Sequence, residues 1–348
     1  MRKLLVISGI LAGTVGVVAC GTSGASNSGN SGNVAGSATN AQKTVTLYFA
    51  SYSVTQDVYE KELFPAFETY WKDKTGQSVH FQASFDASGA EATAVVNGYP
   101  ADVVALSLET DIDKIQQAGL ITHNWQDTPT DGMVTDSIVA IGVRKGNPKH
   151  IQTWSDLAKP GVVVDLPNPA TSGGAKWDIN AIYYSALQHG NANEAKSLLT
   201  SIVKNVKVLD KSGEASMTTF TSGTGDAVVS YENEILEASN NLQTFSEVVP
   251  GSTMLIQNPI AVVDKNAQKH GDMQAAQGFV NWLESPTAQK IFESEGFRPV
   301  IKGLQGNTSE KFGTPKNLIT VKNVGGWQKI NQLLYSDNGI WNQVLESK

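Results

Sequence analysis

The chain has 348 residues, of which 40% are hydrophobic and 17% charged, so it is long enough to form two domains with packed cores. Its formal net charge of −7 argues against a general electrostatic attraction to nucleic acid. Its single cysteine, Cys20, excludes an intrachain disulfide and a metal site built from several cysteines.

Residues 1–20 predict a targeting segment that does not belong to the fold. A basic start is followed by an apolar run that is short for a membrane-spanning helix of about 20 residues. The stretch VVAC, which ends at Cys20, resembles the lipobox of bacterial lipoproteins and implies lipidation of this cysteine after cleavage. Residues 21–43 are rich in Gly, Ser and Asn and predict a flexible tether. We therefore expect a protein on the extracytoplasmic face of the bacterial cell membrane, held by its lipid anchor only.

From residue 44 onward, predicted strands and helices alternate along the chain. The predicted strands cover 44–50, 78–84, 101–107, 137–144, 161–167, 206–210, 226–230 and 259–266. The predicted helices cover 57–76, 89–98, 111–119, 173–189, 192–204, the stretch after Tyr231, 273–284 and 286–295, with a kink or a restart at Pro65. This alternation predicts an α/β fold with mostly parallel sheets flanked by helices.

Small hydroxyl-bearing residues, glycines and one phenol follow several of these strands. They are Ser51, Ser53 and Thr55, then Ser88 and Gly89, then Ser172, Gly173 and Gly174, then Ser212 and Gly213, and finally Tyr231. Ligands of open α/β sheets bind beyond the carboxyl ends of the strands, where helix starts expose unpaired N–H groups with partial positive charge. Because ordinary helix caps and turns favour the same residues, these patterns alone leave open any small anion or polar ligand.

The stretch PNPATSGGAKW, residues 167–177, closely resembles a signature of the sulfate-binding proteins that serve ATP-driven importers. The resemblance extends over about residues 44–300 and includes VRKGNPKHIQTWSDLAKPGV and TGDAVVSYENEILEA. It implies a two-lobed periplasmic-binding-protein-like fold of type II, with two mixed sheets and a hinge between the lobes. We expect lobe one to hold 44–138 plus 258–348 and lobe two to hold 139–257.

The resemblance also implies how a dehydrated sulfate is held between the lobes by neutral donors. It implies hydroxyl donors at Ser88 and Ser172, backbone N–H donors at Ser53, Gly173, Gly174 and Gly213, and an aromatic donor at Tyr231. Relatives often have Asp at position 53, Trp at position 231 and Gly at position 86, where this chain has Asp86. Asp86 is either an acceptor near the anion or a solvent-facing turn residue.

The expected donors favour sulfate over phosphate, because phosphate carries a proton near neutral pH and needs an acceptor, whereas sulfate does not. Thiosulfate, molybdate and tungstate need donors only, so they stay open as ligands. We expect a monomer without metal or cofactor, and not an enzyme, which delivers the anion to the permease and ATPase subunits of an ABC importer. The alternatives are a phosphate-binding protein, a lipoprotein hydrolase that uses Ser88 or Ser172, and an adhesin that has lost its ligand.

Overall fold

The computed structural model describes residues 44–304 and 312–348. The predicted signal segment, with Cys20, and the predicted tether 21–43 lie outside the described residues. No helix within the described ranges is both long enough and apolar enough to cross a membrane.

The described residues form ten strands. They are β1 Val45–Tyr52, β2 Val79–Asp86, β3 Val103–Ala105, β4 Met133–Arg144, β5 Val164–Pro167, β6 Val206–Asp210, β7 Ala227–Tyr231, β8 Phe245–Val248, β9 Ser252–Val262 and β10 Asn317–Ile319. The prediction had extended the strand that became β9 to residue 266, but the chain enters a helix at Asp264.

The same residues form thirteen α-helices. They are α1 Gln56–Val58, α2 Phe64–Thr75, α3 Ser88–Val96, α4 Glu109–Gln117, α5 Gly173–Leu187, α6 Ala192–Lys204, α7 Gly213–Thr221, α8 Glu232–Leu242, α9 Asp264–His270, α10 Met273–Leu283, α11 Pro286–Ser294, α12 Gly326–Ile330 and α13 Ile340–Glu346. The predicted helix 57–76 is divided by a π-helical turn at Tyr59–Leu63, after which Pro65 lies in the first turn of α2. Proline is tolerated there because the first N–H groups of a helix have no internal partner.

The strands join into one mixed path in the order β2-β1-β3-β9-β4-β7-β5-β6, with β8 on β4 and β10 on β9. We call β1, β2 and β3 the first wing and β5, β6, β7 and β8 the second wing. Within the first wing, β1 pairs in parallel with β2 and β3, and within the second wing, β5 pairs in parallel with β6 and β7. β4 pairs antiparallel with β7, β8 and β9. Two sheets were expected, but the structure joins them into one, because β4 and β9 each run from one wing to the other.

Each wing is covered by its own apolar cores. Phe49, Phe67 and Phe279 belong to a buried cluster around the first wing, and Leu106 to a second cluster on its other face. Val164 belongs to the large cluster around the second wing. Parallel strands buried on both faces read as near-continuous apolar runs, which explains why the sequence pattern located most of them.

The C-terminal segment packs with the second wing. Ile319, Trp327 and Trp341 share a buried cluster with Trp177 and Leu199, and the rings of Trp177 and Trp327 lie 4.8 Å apart. β10 also pairs with the start of β9. The expected assignment of all of 258–348 to lobe one therefore does not fit the packing of residues 317–348.

Candidate anion-binding site

A small cavity lies where the carboxyl ends of strands from both wings meet. It is lined by Tyr52, Ser53, Val54, Ala87, Ser88, Ser107, Ser172, Gly173, Gly174, Ser212, Gly213 and Tyr231. About 10 Å³ is available to the centres of water-sized atoms. Each oxygen of a tetrahedral oxyanion is about the size of a water molecule, and all four oxygen centres lie within one bond length of the central atom. The volume open to such centres therefore suits a single small oxyanion. All seven residues expected at the site lie on its wall.

Several of the lining residues open helices. Ser88 is the first residue of α3, Gly173 and Gly174 are the first two of α5, and Gly213 is the first of α7. Ser53 opens a short 3-10 turn directly after β1. The first N–H groups of a helix have no acceptor within it and carry partial positive charge. The cavity therefore meets several main-chain donors from both wings.

None of the described residues that line the cavity carries a charged side chain. Attraction for an anion must therefore come from N–H groups, hydroxyl groups and helix dipoles. Such groups have fixed directions, whereas a lysine ammonium on a flexible side chain does not.

Two serines cap the helices of the second wing and keep a proton free. Ser172 Oγ accepts a hydrogen bond from the N–H of Ala175 at 3.2 Å, and Ser212 Oγ accepts one from Ala215 at 3.1 Å. Both serines are buried, and neither hydroxyl donates to another group within the described residues. Sequence analysis placed Ser212 in the right loop but not among the donors, although its N-cap position gives the same signal as Ser172.

The hydroxyl of Ser88 was expected to donate to the anion, but its proton is directed at Asp111. Its hydroxyl donates to Asp111 Oδ2 at 2.5 Å and accepts from the N–H of Ser107 at 3.0 Å. Burial raises the pKa of Asp111, and the nearby Lys176 lowers it by a smaller amount. Ser88 therefore lines the cavity, but its hydroxyl is already hydrogen-bonded on both sides.

Tyr231 is buried, and its phenol lies 2.7 Å from Ser107 Oγ. Ser107 is fully buried and follows β3, but it was absent from the expected site. Its sequence signal is the same as that of the other predicted residues, because Ser107 ends the predicted strand 101–107 and serines follow several other predicted strands. The pair joins the two wings, because Ser107 follows a strand of the first and Tyr231 ends a strand of the second.

The two glycines of α5 are required by the close approach of these neighbours. A Cβ atom on Gly173 would lie 2.5 Å from Ser107 Oγ, and one on Gly174 would lie 3.1 Å from Cε2 of Tyr231. A separation of 2.5 Å is a severe overlap, which no rotation of the short serine side chain relieves because Ser107 Cβ would be 2.8 Å away. Gly173 therefore lets the start of α5 touch the opposite wing, and Gly174 leaves room for Tyr231 of its own wing.

Asp86 lies at the rim and does not line the cavity. Its carboxylate accepts from the N–H of Ala87 at 2.8 Å and lies 3.3 Å from the ammonium of Lys211. The side chain of Asp86 is 49% exposed and that of Lys211 is 70% exposed. The solvent-facing turn residue is thus the alternative that the structure supports, with an exposed ion pair across the wings.

Two buried carboxyl groups lie near the second-wing side of the cavity. Burial raises the pKa of Glu234 to about 8, and it raises the pKa of Asp178 well above its ordinary value. Glu234 also accepts a hydrogen bond from Ser230 Oγ. With a pKa of about 8, the Glu234 carboxyl keeps its proton at neutral pH and adds no negative charge next to the cavity.

One cluster away from the cavity has metal-ligand chemistry. Single ligand atoms of Asp102, His270 and Asp272 lie within 4.8 Å of one another. Asp102 precedes β3 and thus lies at the opposite end of that strand from Ser107. His270 Nδ1 is hydrogen-bonded to Asp102 Oδ1 at 2.6 Å, so these two groups already satisfy each other.

The raised pKa of Glu234 predicts that stability falls as pH rises. The unfolded glutamate ionises near its ordinary pKa of about 4.3, whereas the folded one holds its proton up to about pH 8. The contribution of Glu234 to the free energy of unfolding is complete below the pKa of the unfolded state. It is lost as the pH rises through the pKa of the folded state, at up to about 1.4 kcal/mol per pH unit.

Glu234→Gln should therefore flatten the decline in thermal midpoint between mildly acidic and mildly alkaline pH. The exposed change Glu346→Gln, at the end of α13, serves as the control and should leave the decline as it is. An unchanged slope in Glu234→Gln would contradict a protonated Glu234 in the folded state.

Comparison with known proteins places the fold and the family. Residues 47–298 match the family described as bacterial extracellular solute-binding protein. The chain is 39% identical over 314 residues to the sulfate-binding protein of Synechococcus elongatus, with 89% of each chain covered. It is 33% identical over 317 residues to the thiosulfate-binding protein of Pseudomonas aeruginosa, with 89% of this chain and 94% of that one covered.

A solved structure agrees with these matches. The sulfate-binding protein SubI from Mycobacterium tuberculosis aligns with a TM-score of 0.78 at 32% identity, over 84% of this chain and 100% of that chain. The predicted α/β fold, with a mixed sheet flanked by helices as in periplasmic binding proteins, is confirmed. The chain therefore belongs to the bacterial extracellular solute-binding proteins and is a binding protein, not an enzyme.

Proposed function

We propose that this protein captures sulfate between its two wings and delivers it to the permease of an ABC importer. The observation that carries the proposal is the cavity in which helix starts and serine hydroxyls from both wings converge without a charged side chain. Sulfate carries no proton at neutral pH, so a set of donors suffices to bind it. A buried ion is stabilised only when its lost hydration is replaced by such hydrogen bonds.

The proposed donors come from both wings. They are the N–H groups of Ser53, Gly173, Gly174 and Gly213, the hydroxyls of Ser172 and Ser212, and the phenol of Tyr231. Ser88 joins them when its hydroxyl turns from Asp111 to the anion. The similarity to sulfate-binding proteins supports this ligand, and the similarity to a thiosulfate-binding protein supports thiosulfate as the second candidate.

We further propose that the wings belong to two lobes that close around the anion. Lobe one would hold 44–138 and the chain from about 258 to 304, and lobe two would hold 139–257 and 317–348. β4 and β9 would serve as the hinge, since they are the long strands that run between the wings. The contacts Ser107–Tyr231 and Asp86–Lys211 would form on closure, and the permease would recognise the closed surface.

Sulfate binding is tested by isothermal titration of the mature domain. We expect sulfate to bind at least ten times more tightly than phosphate, which corresponds to about 1.4 kcal/mol. Ser172→Ala should weaken sulfate binding by about 1–3 kcal/mol because it removes a buried donor to the ion. The exposed change Ser201→Ala is the control. Phosphate binding as tight as sulfate binding would reject the assignment.

Gly173→Ala should impair binding more than folding. Its Cβ would meet Ser107 from the opposite wing at 2.5 Å, and overpacking of this kind costs about 1–3 kcal/mol. Because the overlap arises only when the wings touch, sulfate affinity should fall while the thermal midpoint without sulfate stays the same. Gly251→Ala, where a Cβ has open space, is the control. A lower midpoint with unchanged affinity would make Gly173 a structural residue only.

The lipid anchor is the remaining part of the proposal and rests on the VVAC stretch before the tether. Lipidation of Cys20 would keep the folded part at the outer face of the membrane. Cys20→Ser should move the protein from the membrane fraction to the soluble extracytoplasmic fraction, as measured by fractionation and immunoblotting. An unchanged distribution would show that Cys20 is not the anchor.

A further inference from the structure

We propose that Ser107 and Tyr231 form a specificity-determining hydroxyl pair that offers a bound oxyanion one acceptor as well as one donor. The site would then also take a tetrahedral oxyanion that carries a proton, such as hydrogen phosphate, although more weakly than sulfate. This inference rests on the proposed oxyanion-binding function and deepens it.

The pair is part of the cavity wall. Both residues line the cavity, and they are 0% and 1% exposed. Their oxygens lie 2.7 Å apart, which is an ordinary length for a hydrogen bond between two hydroxyl groups. Within the described residues, neither oxygen has another hydrogen-bond partner. The remaining hydrogen-bonding capacity of each hydroxyl is therefore available to a ligand in the cavity.

Counting protons shows what the pair presents. Each hydroxyl has one proton to donate and lone pairs that accept. If Ser107 donates to Tyr231, the phenol has a free proton and Ser107 has free lone pairs. If Tyr231 donates to Ser107, the roles are exchanged. In both arrangements a ligand that touches both oxygens meets one donor and one acceptor.

Neither group can easily leave this arrangement. The carbonyl of Ser107 accepts from Trp177 Nε1 at 3.0 Å and from Asn258 Nδ2 at 3.1 Å. The ring of Tyr231 stacks on Tyr52 with centroids 6.0 Å apart, and its edge lies close to Gly174 at the start of α5. Burial also raises the pKa of Tyr231 well above its ordinary value, so the phenol keeps its proton.

The two kinds of anion fit this pair differently. Hydrogen phosphate can place its P–OH against the accepting oxygen and an unprotonated oxygen against the donating one. Sulfate has no proton, so its second oxygen faces lone pairs across the pair. The other donors of the cavity still favour sulfate. The Ser107–Tyr231 pair reduces the difference in binding affinity between sulfate and hydrogen phosphate. A site with Ala at position 107 would meet both ions with the phenol proton only.

The test is isothermal titration with sulfate, selenate and phosphate at about pH 8, where inorganic phosphate is mainly monohydrogen phosphate. The wild type should bind sulfate and selenate most tightly and phosphate measurably. Ser107→Ala should weaken phosphate at least tenfold while sulfate and selenate change less than threefold. Ser212→Ala, which removes a donor only, is the matched control and should weaken all three anions alike.

A second measurement compares hydrogen phosphate with fluorophosphate. Fluorophosphate has the charge and nearly the size of hydrogen phosphate but carries no proton. Hydrogen phosphate should therefore bind more tightly than fluorophosphate, and Ser107→Ala should remove the difference. Equal binding of these two ions by the wild type would overturn the inference, and so would an equal loss of sulfate and phosphate in Ser107→Ala. Failure of the wild type to bind sulfate would instead reject the proposed function, whereas selective loss of phosphate would still support the pair.

Discussion

The structure depends on the close approach of main-chain N–H groups from one wing to the wall of the other. The start of α5 can meet the opposite wing only because Gly173 has no side chain, since a Cβ there would overlap Ser107 at 2.5 Å. That approach places helix starts, serine caps and the Ser107–Tyr231 contact around one small cavity. A larger residue at the start of α5 would separate these groups, and each wing would then present only its own donors.

The charged side chains near this cavity lie outside its lining. The ion pair between Asp86 and Lys211 lies at the exposed rim. Glu234 is kept neutral by burial, which raises its pKa to about 8. The lining itself is neutral, so its electrostatic attraction comes from dipoles that are already oriented by the helices. Oriented dipoles need little rearrangement when an ion arrives, and they bind in one geometry.

Sequence reasoning located most of the fold and part of the wall, for identifiable reasons. Buried strands, the serine and glycine pattern at the start of α5 and the Asn191 cap of α6 are local signals. The bounds predicted for α6 and β6 are those that the structure has. The packing of Trp327 against Trp177 is a contact between distant parts of the chain, and no local pattern encodes it. The position of Ser107 at the end of a predicted strand was a local signal, but its contact with Tyr231, 124 positions further along the chain, was not.

If the two lobes close around the anion as proposed, binding and closure are coupled through this division of donors. Neither wing alone surrounds an ion, so an anion that contacts both wings stabilises the closed arrangement by the difference between its affinities for the closed and open forms. Contacts that need no ligand, such as the Ser107–Tyr231 hydrogen bond, favour closure without discriminating between anions. The same two hydroxyls also face the cavity, so whichever ion is bound must share them with the closing contact. On the proposed function, selectivity and the closure equilibrium would therefore depend on the same pair of side chains.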